Sequence, residues 1–345
     1  MGEVLEFFQS DIVGQFLNPR RRLFWGYLIS ALIIAILWLC IIKKKKIRQA
    51  LRTIFDRSVW LSKSSRADMV CFIINRIFMV ICRPILITQI FIATALYHAL
   101  HLQQIVPIGL FETTPVWLST LLFTSFFFLL DDFSRFVLHL ALHKVPSLWE
   151  FHKFHHSAET LTPLTVTRTH PVEAILFTLR SAIVQGGTIA IFIFLFGQQL
   201  SLFTILGVNV FVVLFHGLGS NLRHSHISVS YPNVIENCLM SPAQHHLHHS
   251  SSQKHFDKNF GVALSIWDKM AGSFMYSSDK KLIFGIGSET EEYTQTIAHM
   301  YFVPIKKVWD RLWRHTYGNK YLLRISSTPH KKLMNFWRKY NVTDF

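Results

Sequence analysis

The sequence predicts an all-α, polytopic membrane protein with about four or five transmembrane helices and a cytoplasmic helical cap that carries a histidine-rich dimetal site. Three observations predict it. Half of the 345 residues are hydrophobic and only 16% are charged, against roughly 25% in soluble domains. Long uncharged runs alternate with basic segments. Fourteen of the nineteen histidines fall into two windows beside the ends of those runs.

The runs come first along the chain. Leu23 to Ile42 holds twenty residues without a charge, enough to cross ~30 Å of hydrocarbon as a helix. It is too long for a signal-peptide core, has no small-residue cleavage pattern before its basic flank, and reads as a retained span. Further spans are expected from Pro84 to about Val106 and from Pro115 to Leu130. A hairpin is expected from about Ile175 to Phe196 and from Leu200 to about Leu218, with Arg180 snorkelling to the interface. Lys and Arg set the orientation. Eleven of them lie between Lys43 and Arg83, and the 101–114 and 197–199 turns have none. The positive-inside rule then makes 43–83 cytoplasmic. Five spans put the N-terminus outside, although Arg20, Arg21 and Arg22 pull the other way, and put 131–172 and 219–345 inside. The formal charge of +15 reads as attraction to an anionic membrane surface. The basic residues flank apolar spans rather than interleaving with stacking aromatics, so no nucleic acid is expected as a partner. Cys40, Cys71, Cys82 and Cys238 form no CxxC pair, which fits buried thiols rather than a disulfide framework.

The histidine windows carry the chemistry. The first gives His139-x-x-x-His143, His152-x-x-His155-His156 and His170; the second gives His216, His224-x-His226, His245, His246, His248, His249 and His255. Residues i and i+4 share a helix face, so His139 and His143 can grip one metal. His152 and His155 pair in the same way, while the adjacent His156 diverges by ~100° toward a neighbouring ion. The arrangement recurs as His245-x-x-His248-His249. Eight or more imidazoles suffice for two ions, and imidazole suits Fe, Zn, Cu and Ni alike. A lone histidine is ordinarily a core or surface residue, and His98, His101, His299, His315 and His330 are read so. His246 and His255 stay open between ligand and structural roles, and His224 is open to a supporting one. No Asp or Glu stands three residues before any histidine, so the E-x-x-H signature of carboxylate-bridged di-iron bundles is absent. H-E-x-x-H, G-x-S-x-G and Walker A patterns are absent too.

These stretches resemble the fatty acid hydroxylase / sterol desaturase superfamily in its bacterial-type branch. The resemblance rests on DDFSRFVLHLALHKVPSLWEFHKFHHS from Asp131, RTHPVE from Arg168, NLRHSHISVSYP from Asn221, SPAQHHLHHS from Ser241 and NFGVALSIWDKMAGSF from Asn259. It covers roughly 126–276, the expected catalytic domain. Residues 1–125 are then anchor spans with a basic linker, and 277–345 a basic C-terminal cytoplasmic or interfacial region. Membership implies His139, His143, His152, His155, His156, His245, His248 and His249 as metal ligands. His226 fits the isolated ligand before the last box by its distance from that box. His170 matches the family's His-Pro motif and, with His216 and His224, remains a candidate ligand or support. Leu140 stands where the family usually has Arg, and Phe136 where it often has Tyr, which bears on substrate preference more than on chemistry.

The resemblance further implies two iron ions (Fe2+, with zinc entering on overexpression). O2 would be activated at the reduced pair and used to hydroxylate or desaturate a C–H bond of a membrane lipid. Nothing recognisable binds flavin, haem or NAD, so a separate electron-donor protein is expected. Leu130, Phe133 and Phe136, between bilayer and metals, are expected to line a substrate channel. A polytopic metal-ion transporter is the alternative from another class, but transporters place ligands near the midplane, and these boxes lie beyond the span ends. A catalytically inactive lipid-binding member of the family is a further alternative. In the C-terminal region Ile305, Val308, Trp309, Leu312 and Trp313 form one helical face opposite Lys306, Lys307, Arg311 and Arg314. That pattern suits a helix at the membrane interface, packed on the catalytic domain, or both.

Overall fold

The computed structural model describes residues 8–197, 209–287 and 296–325, with all regular structure among them helical apart from two isolated bridges, Leu239–Leu264 and Ser250–Phe284. Helix α1 (Trp25–Ile42) is followed by α2 (Ile47–Ile54). Helix α3 (Lys63–Cys82) starts on a Ser62 cap that accepts from Ser65 N at 3.0 Å and stops at the Arg83-Pro84 step. Helix α4 (Gln89–Gln103) is capped by Thr88 and ends where Gln104 turns left-handed. Helix α5 (Val116–Lys144) ends because Pro146 forbids helical backbone at Val145. That same proline opens α6 (Pro146–His156) at its first position, as Pro171 opens α7 (Pro171–Phe196). Helices α8 (Val210–Gly217), α9 (Pro242–His248) and α10 (Ile297–Ile325) complete the frame.

Three of these helices, α1, α5 and α7, are long and apolar enough to cross a membrane. The expected second span is shorter than its sequence run. Helix α4 has 15 residues, ~22 Å, because Pro84 and the left-handed Gln104 bound it. Of the expected fifth span, residues 200–208 lie outside the described residues, and the rest is α8.

Helices α4 and α7 run side by side at a seam that needs glycine: a Cβ on Gly186 would sit 2.5 Å from the Gln89 carbonyl oxygen. The 104–115 connection folds onto the end of α7, with Gly109 N donating to Phe194 O at 2.9 Å and Phe111 N to Leu195 O at 2.8 Å. Phe123, Phe192 and Phe196 fill the core between α5 and α7 near that end. Helix α5, ~43 Å long, exceeds the thickness of a ~30 Å hydrocarbon layer, and His139 and His143 stand in its last two turns. Arg180 is held inward against α5. Its Nη2 is 2.9 Å from Asp131 Oδ1, and Nη1 donates to Ser134 Oγ at 2.6 Å.

The opposite end is the cap. The loop after α6 is anchored on α3 by a fully buried ion pair, Arg168 Nη1 to Asp68 Oδ1 at 3.0 Å. Arg168 also reaches Phe154 O and Ser157 Oγ, and Thr165 Oγ1 donates to Asp68 Oδ2 at 2.6 Å. Removing one partner strands a buried charge. Asp68→Ala is therefore expected to destabilise the fold by about 3–5 kcal/mol, read as a lowered Tm in detergent; an unchanged Tm would show that water reaches the pair. Helix α10 packs its first turns here: Met300 is buried with Ala67, Cys71 and Phe154, and Arg311 reaches Glu150 at 3.5 Å. Ile305, Trp309, Leu312 and Trp313 remain exposed, so one helix shows both the packed and the outward apolar face.

Candidate metal centre

Four short elements aim imidazoles at one place. His139 and His143 leave the last turns of α5; His152, His155 and His156 occupy the end of α6; His224 ends a 3-10 turn at Ser220–His224; His245, His248 and His249 come from α9 and its cap. Helix α9 is only seven residues long, and its start is fixed on both sides. Ser241 Oγ accepts from Gln244 N at 3.1 Å, Gln244 Oε1 accepts from Ser241 N at 2.9 Å, and Pro242 takes the first position.

The rings sort into two groups. His139, His143, His152, His156 and His248 form the first; His155, His224, His245 and His249 form the second, and in each group the nitrogens lie within 4.8 Å of one another. In the first, the Nε2 atoms of His143, His152, His156 and His248 are buried with no hydrogen-bond partner. Buried nitrogens in such numbers are costly unless something fills the space between them. In the second, Nε2 atoms stand 3.1 Å apart between His155 and His224, His224 and His245, and His245 and His249. Tetrahedral nitrogen ligands at metal–N distances of 2.0–2.1 Å would be separated by ~3.3 Å. Both groups are therefore compatible with a metal site, and the all-imidazole donor set does not select the ion.

Hydrogen bonds on the far sides of the rings support that reading. His139 Nδ1 donates to Phe260 O (2.7 Å), His248 Nδ1 to Lys258 O (2.8 Å) and His155 Nδ1 to Arg168 O (3.1 Å), and His152 Nδ1 is hydrogen-bonded with Glu173 Oε1 (3.0 Å). Backbone carbonyl oxygens only accept, so Nδ1 of His139, His155 and His248 carries the proton and each of those Nε2 atoms turns its lone pair inward. Burial holds the rings neutral: His155 is lowered to about 3, and His152, His245, His248 and His249 lie well below the ordinary value, chiefly by burial and then by one another. His224 differs. Arg22 Nη2 stands 3.2 Å from its Nδ1, and a guanidinium only donates. That ring is thus backed by a donor, where His139, His155 and His248 are backed by acceptors.

The expected residues do not all arrive. His226 lies outside both groups, with Nε2 donating to Thr53 O at 2.8 Å. The chain turns between His224, which ends a helical turn, and the extended Ser225, so the two rings of the H-x-H pair diverge and His224 takes the inward place. His170 caps α7, accepting from Val172 N at 3.2 Å, while its Nε2 donates to Tyr301 O at 3.0 Å. His216 Nδ1 is 2.6 Å from Ser220 Oγ. His246 Nε2 donates to Leu222 O and His255 Nδ1 lies by Ser250 Oγ. None of these five belongs to either group. His224→Ala is expected to lower bound metal and His226→Ala to leave it unchanged, measured by elemental analysis of the purified chains. The reverse order would restore His226 to the site.

Carboxylates that sequence spacing did not single out hold the frame. Asp132 accepts from Ala263 N (2.8 Å), Leu264 N (3.0 Å) and Trp267 Nε1 (2.9 Å), tying the Asp-Asp start of the first motif to the Trp-Asp-Lys end of the last. Asp268 accepts from Phe260 N (2.8 Å) and Gly261 N (2.7 Å), fixing the loop whose Phe260 carbonyl orients His139. A Cβ on Gly261 would meet Leu264 O at 2.6 Å, so the loop needs glycine. Of the expected channel residues, Phe136 is buried, with its ring 6.5 Å from that of Phe260, itself 5.0 Å from His143. Phe133 is half-exposed against Trp267, and Leu130 is half-buried on the same helix.

Residues 124–273 match the family model described as Fatty acid hydroxylase. Among curated proteins, human alkylglycerol monooxygenase is 26% identical over 186 residues, covering 54% of this chain and 37% of its own length. An ornithine lipid hydroxylase from Rhizobium tropici is 29% identical over 143 residues (41% and 39%), and human lathosterol oxidase 27% over 168 residues (49% and 48%). The chain thus spans less than half the length of these relatives. No solved structure matches it.

Proposed function

We propose that this chain, whose residues 124–273 match the Fatty acid hydroxylase family model, belongs to the fatty acid hydroxylase / sterol desaturase superfamily and is a membrane-bound, O2-dependent oxidoreductase that hydroxylates or desaturates a C–H bond of a lipid. The observation that carries the proposal is the pair of buried imidazole groups at the end of α5, one of five rings and one of four. Two iron ions, held by His139, His143, His152, His156 and His248 and by His155, His224, His245 and His249, would supply oxygen activation with electrons from a separate donor protein. The relatives' names point to lipids of differing headgroup and skeleton, so the conserved element of the proposal is the lipid class.

The chain's own residues do the rest. The Nδ1 bonds of His139, His152, His155 and His248 hold their rings in place before any substrate arrives. Trp149 and Phe260 cover His143, with ring centroids at 4.9 and 5.0 Å, and exclude water from the first group. The centre lies past the apolar run of α5, on the cytoplasmic side by the excess of Lys and Arg after α1. A lipid therefore rises partway out of that leaflet, and Leu130, Phe133 and Phe136 are placed to guide it.

Comparative lipidomics of cells with and without the gene, under 18O2, tests the proposal. A lipid that gains one 18O, or loses two hydrogens, only with the gene is expected. An unchanged lipid profile with iron-loaded protein present would sink it. Phe133→Ala, Phe136→Ala and Leu130→Trp are expected to change chain-length preference or position of attack at unchanged metal content. If all three keep the parent's profile and rate, the channel lies elsewhere.

A further inference from the structure

We propose that α1, whose length and composition suit a crossing, instead lies along the leaflet on the histidine side and inserts one face into its acyl region. The residues just before Trp25 then stay on the same side as the metal centre. The inference rests on the membrane reading above but not on the chemistry proposed with it.

Both ends of α1 are tied to the cap. At its start, Arg22 donates from Nη2 to Ser220 O at 2.9 Å and from Nε to Asn221 Oδ1 at 3.2 Å, and Asn221 Nδ2 returns a bond to Arg22 O at 3.0 Å. These partners immediately precede His224. Midway, the Ser30 hydroxyl donates to the Gly217 carbonyl. Gly219, at φ +90°, comes so close that a Cβ there would stand 3.1 Å from Ile34 Cδ1. Past its end, Lys43 Nζ pairs with Asp279 Oδ1 at 3.0 Å. A crossing helix of 18 residues separates its ends by ~27 Å through the bilayer, which would carry one end to the level of the 104–115 connection. That level is marked by Gly109 and Phe111 on the end of α7, whereas Arg22 and Lys43 both bind segments that continue into the histidine-bearing cap.

The two faces of α1 are sharply divided. Ala31, Ala35 and Leu39 are buried against Leu222, Ile227 and Val229 of the cap, together with Ala50 and Ile54 of α2. Trp25, Ile29, Ile33, Leu37 and Ile41, spaced by four, stand 47–64% exposed, and Ile47, Leu51 and Phe55 extend the stripe along α2. A contiguous apolar stripe of this size marks an interaction surface. Its rim identifies the partner. Arg20 and Arg21 precede the stripe, and Lys44, Lys45, Lys46 and Arg48 follow Ile41. Apolar side chains edged by cations match acyl chains beneath anionic headgroups. The arrangement also removes the conflict in the charge pattern, because Arg20, Arg21 and Arg22 join the basic residues after α1 on one side.

Single-cysteine labelling of the full chain in oriented vesicles tests the placement, with the four native cysteines replaced by alanine. Arg21→Cys, Lys280→Cys and Thr113→Cys alter exposed positions. A membrane-impermeant maleimide is expected to reach Arg21→Cys and Lys280→Cys from one side and Thr113→Cys from the other. Arg21→Cys reacting from the Thr113 side would overturn the proposal. Nitroxides on Ile33→Cys and Ile41→Cys are expected to report similar, shallow depths with ready access to lipid-dissolved oxygen. A passage of Ile33 through the bilayer midplane would overturn it, as would shielding of both sites with crosslinking between two copies at Ile33→Cys. Every readout holds whether or not the chain oxidises a lipid, so failure of the chemistry and failure of the placement are distinguishable.

Discussion

Replacing His155 or His248 with alanine is expected to abolish turnover and to release much of the bound metal. The two rings belong to different groups, His248 with the five and His155 with the four, so each variant strips one group directly. Each ring is buried and anchored by its Nδ1, to Lys258 O and to Arg168 O, and alanine removes its nitrogen from the group. Loss of a partner behind a ligand typically costs 10–100-fold in affinity or activity. Loss of the ligand itself is therefore expected to exceed ~100-fold. Elemental analysis with a single-turnover product assay measures both; unchanged metal content and rate in the two variants would remove these rings from the site.

The second large effect is expected at Glu173, which touches no other group of the centre except His152. Its Oε1 is hydrogen-bonded with His152 Nδ1 at 3.0 Å, and both side chains are almost wholly buried. Without that partner the imidazole is free to rotate, and its inward Nε2 is no longer held. Glu173→Ala is expected to weaken metal retention by about 10–100-fold in competition with a chelator. Glu173→Gln keeps an acceptor oxygen at the same place and is expected to recover part of the loss. Alanine and parent holding metal equally tightly would show that packing alone fixes His152.

What the sequence revealed about this site follows from the periodicity of helices. His139 and His143 share a face at i and i+4, and the H-x-x-H-H pattern divides between two groups because adjacent residues diverge by ~100°. Adjacent rings do divide, His155 from His156 and His248 from His249, but the i, i+3 pairs expected to share a metal are split: His152 joins His156 and His245 joins His249, so the i, i+4 partners stay together. Spacing fixes directions from one helix; it does not state which neighbouring helix supplies the rest. The exchange of His226 for His224 has the same origin, since a two-residue step points both rings one way only in extended chain, and here a 3-10 turn ends at His224. Glu173, Asp132 and Asp268 were unmarked because a carboxylate that supports a ring from behind has no characteristic distance along the chain. The apolar runs at α5 and α7 were legible from length and composition. The attachments at both ends of α1 depend on Ser220, Asn221 and Asp279, far away in sequence, and no local pattern announces them.

One helix serves two masters in this arrangement. Within five residues α6 sends His152 and His156 to one group and His155 to the other, while α9 and its cap send His248 one way and His245 and His249 the other. A tilt of either helix therefore moves rings in both groups at once. On the two-ion reading, filling one group immobilises the helices that the other group needs, and the ordering cost for the second ion has already been met. On the same reading loading is expected to be steep: at limiting metal a population would divide into chains with both ions and chains with none, and an average of one ion per chain would describe few molecules in it.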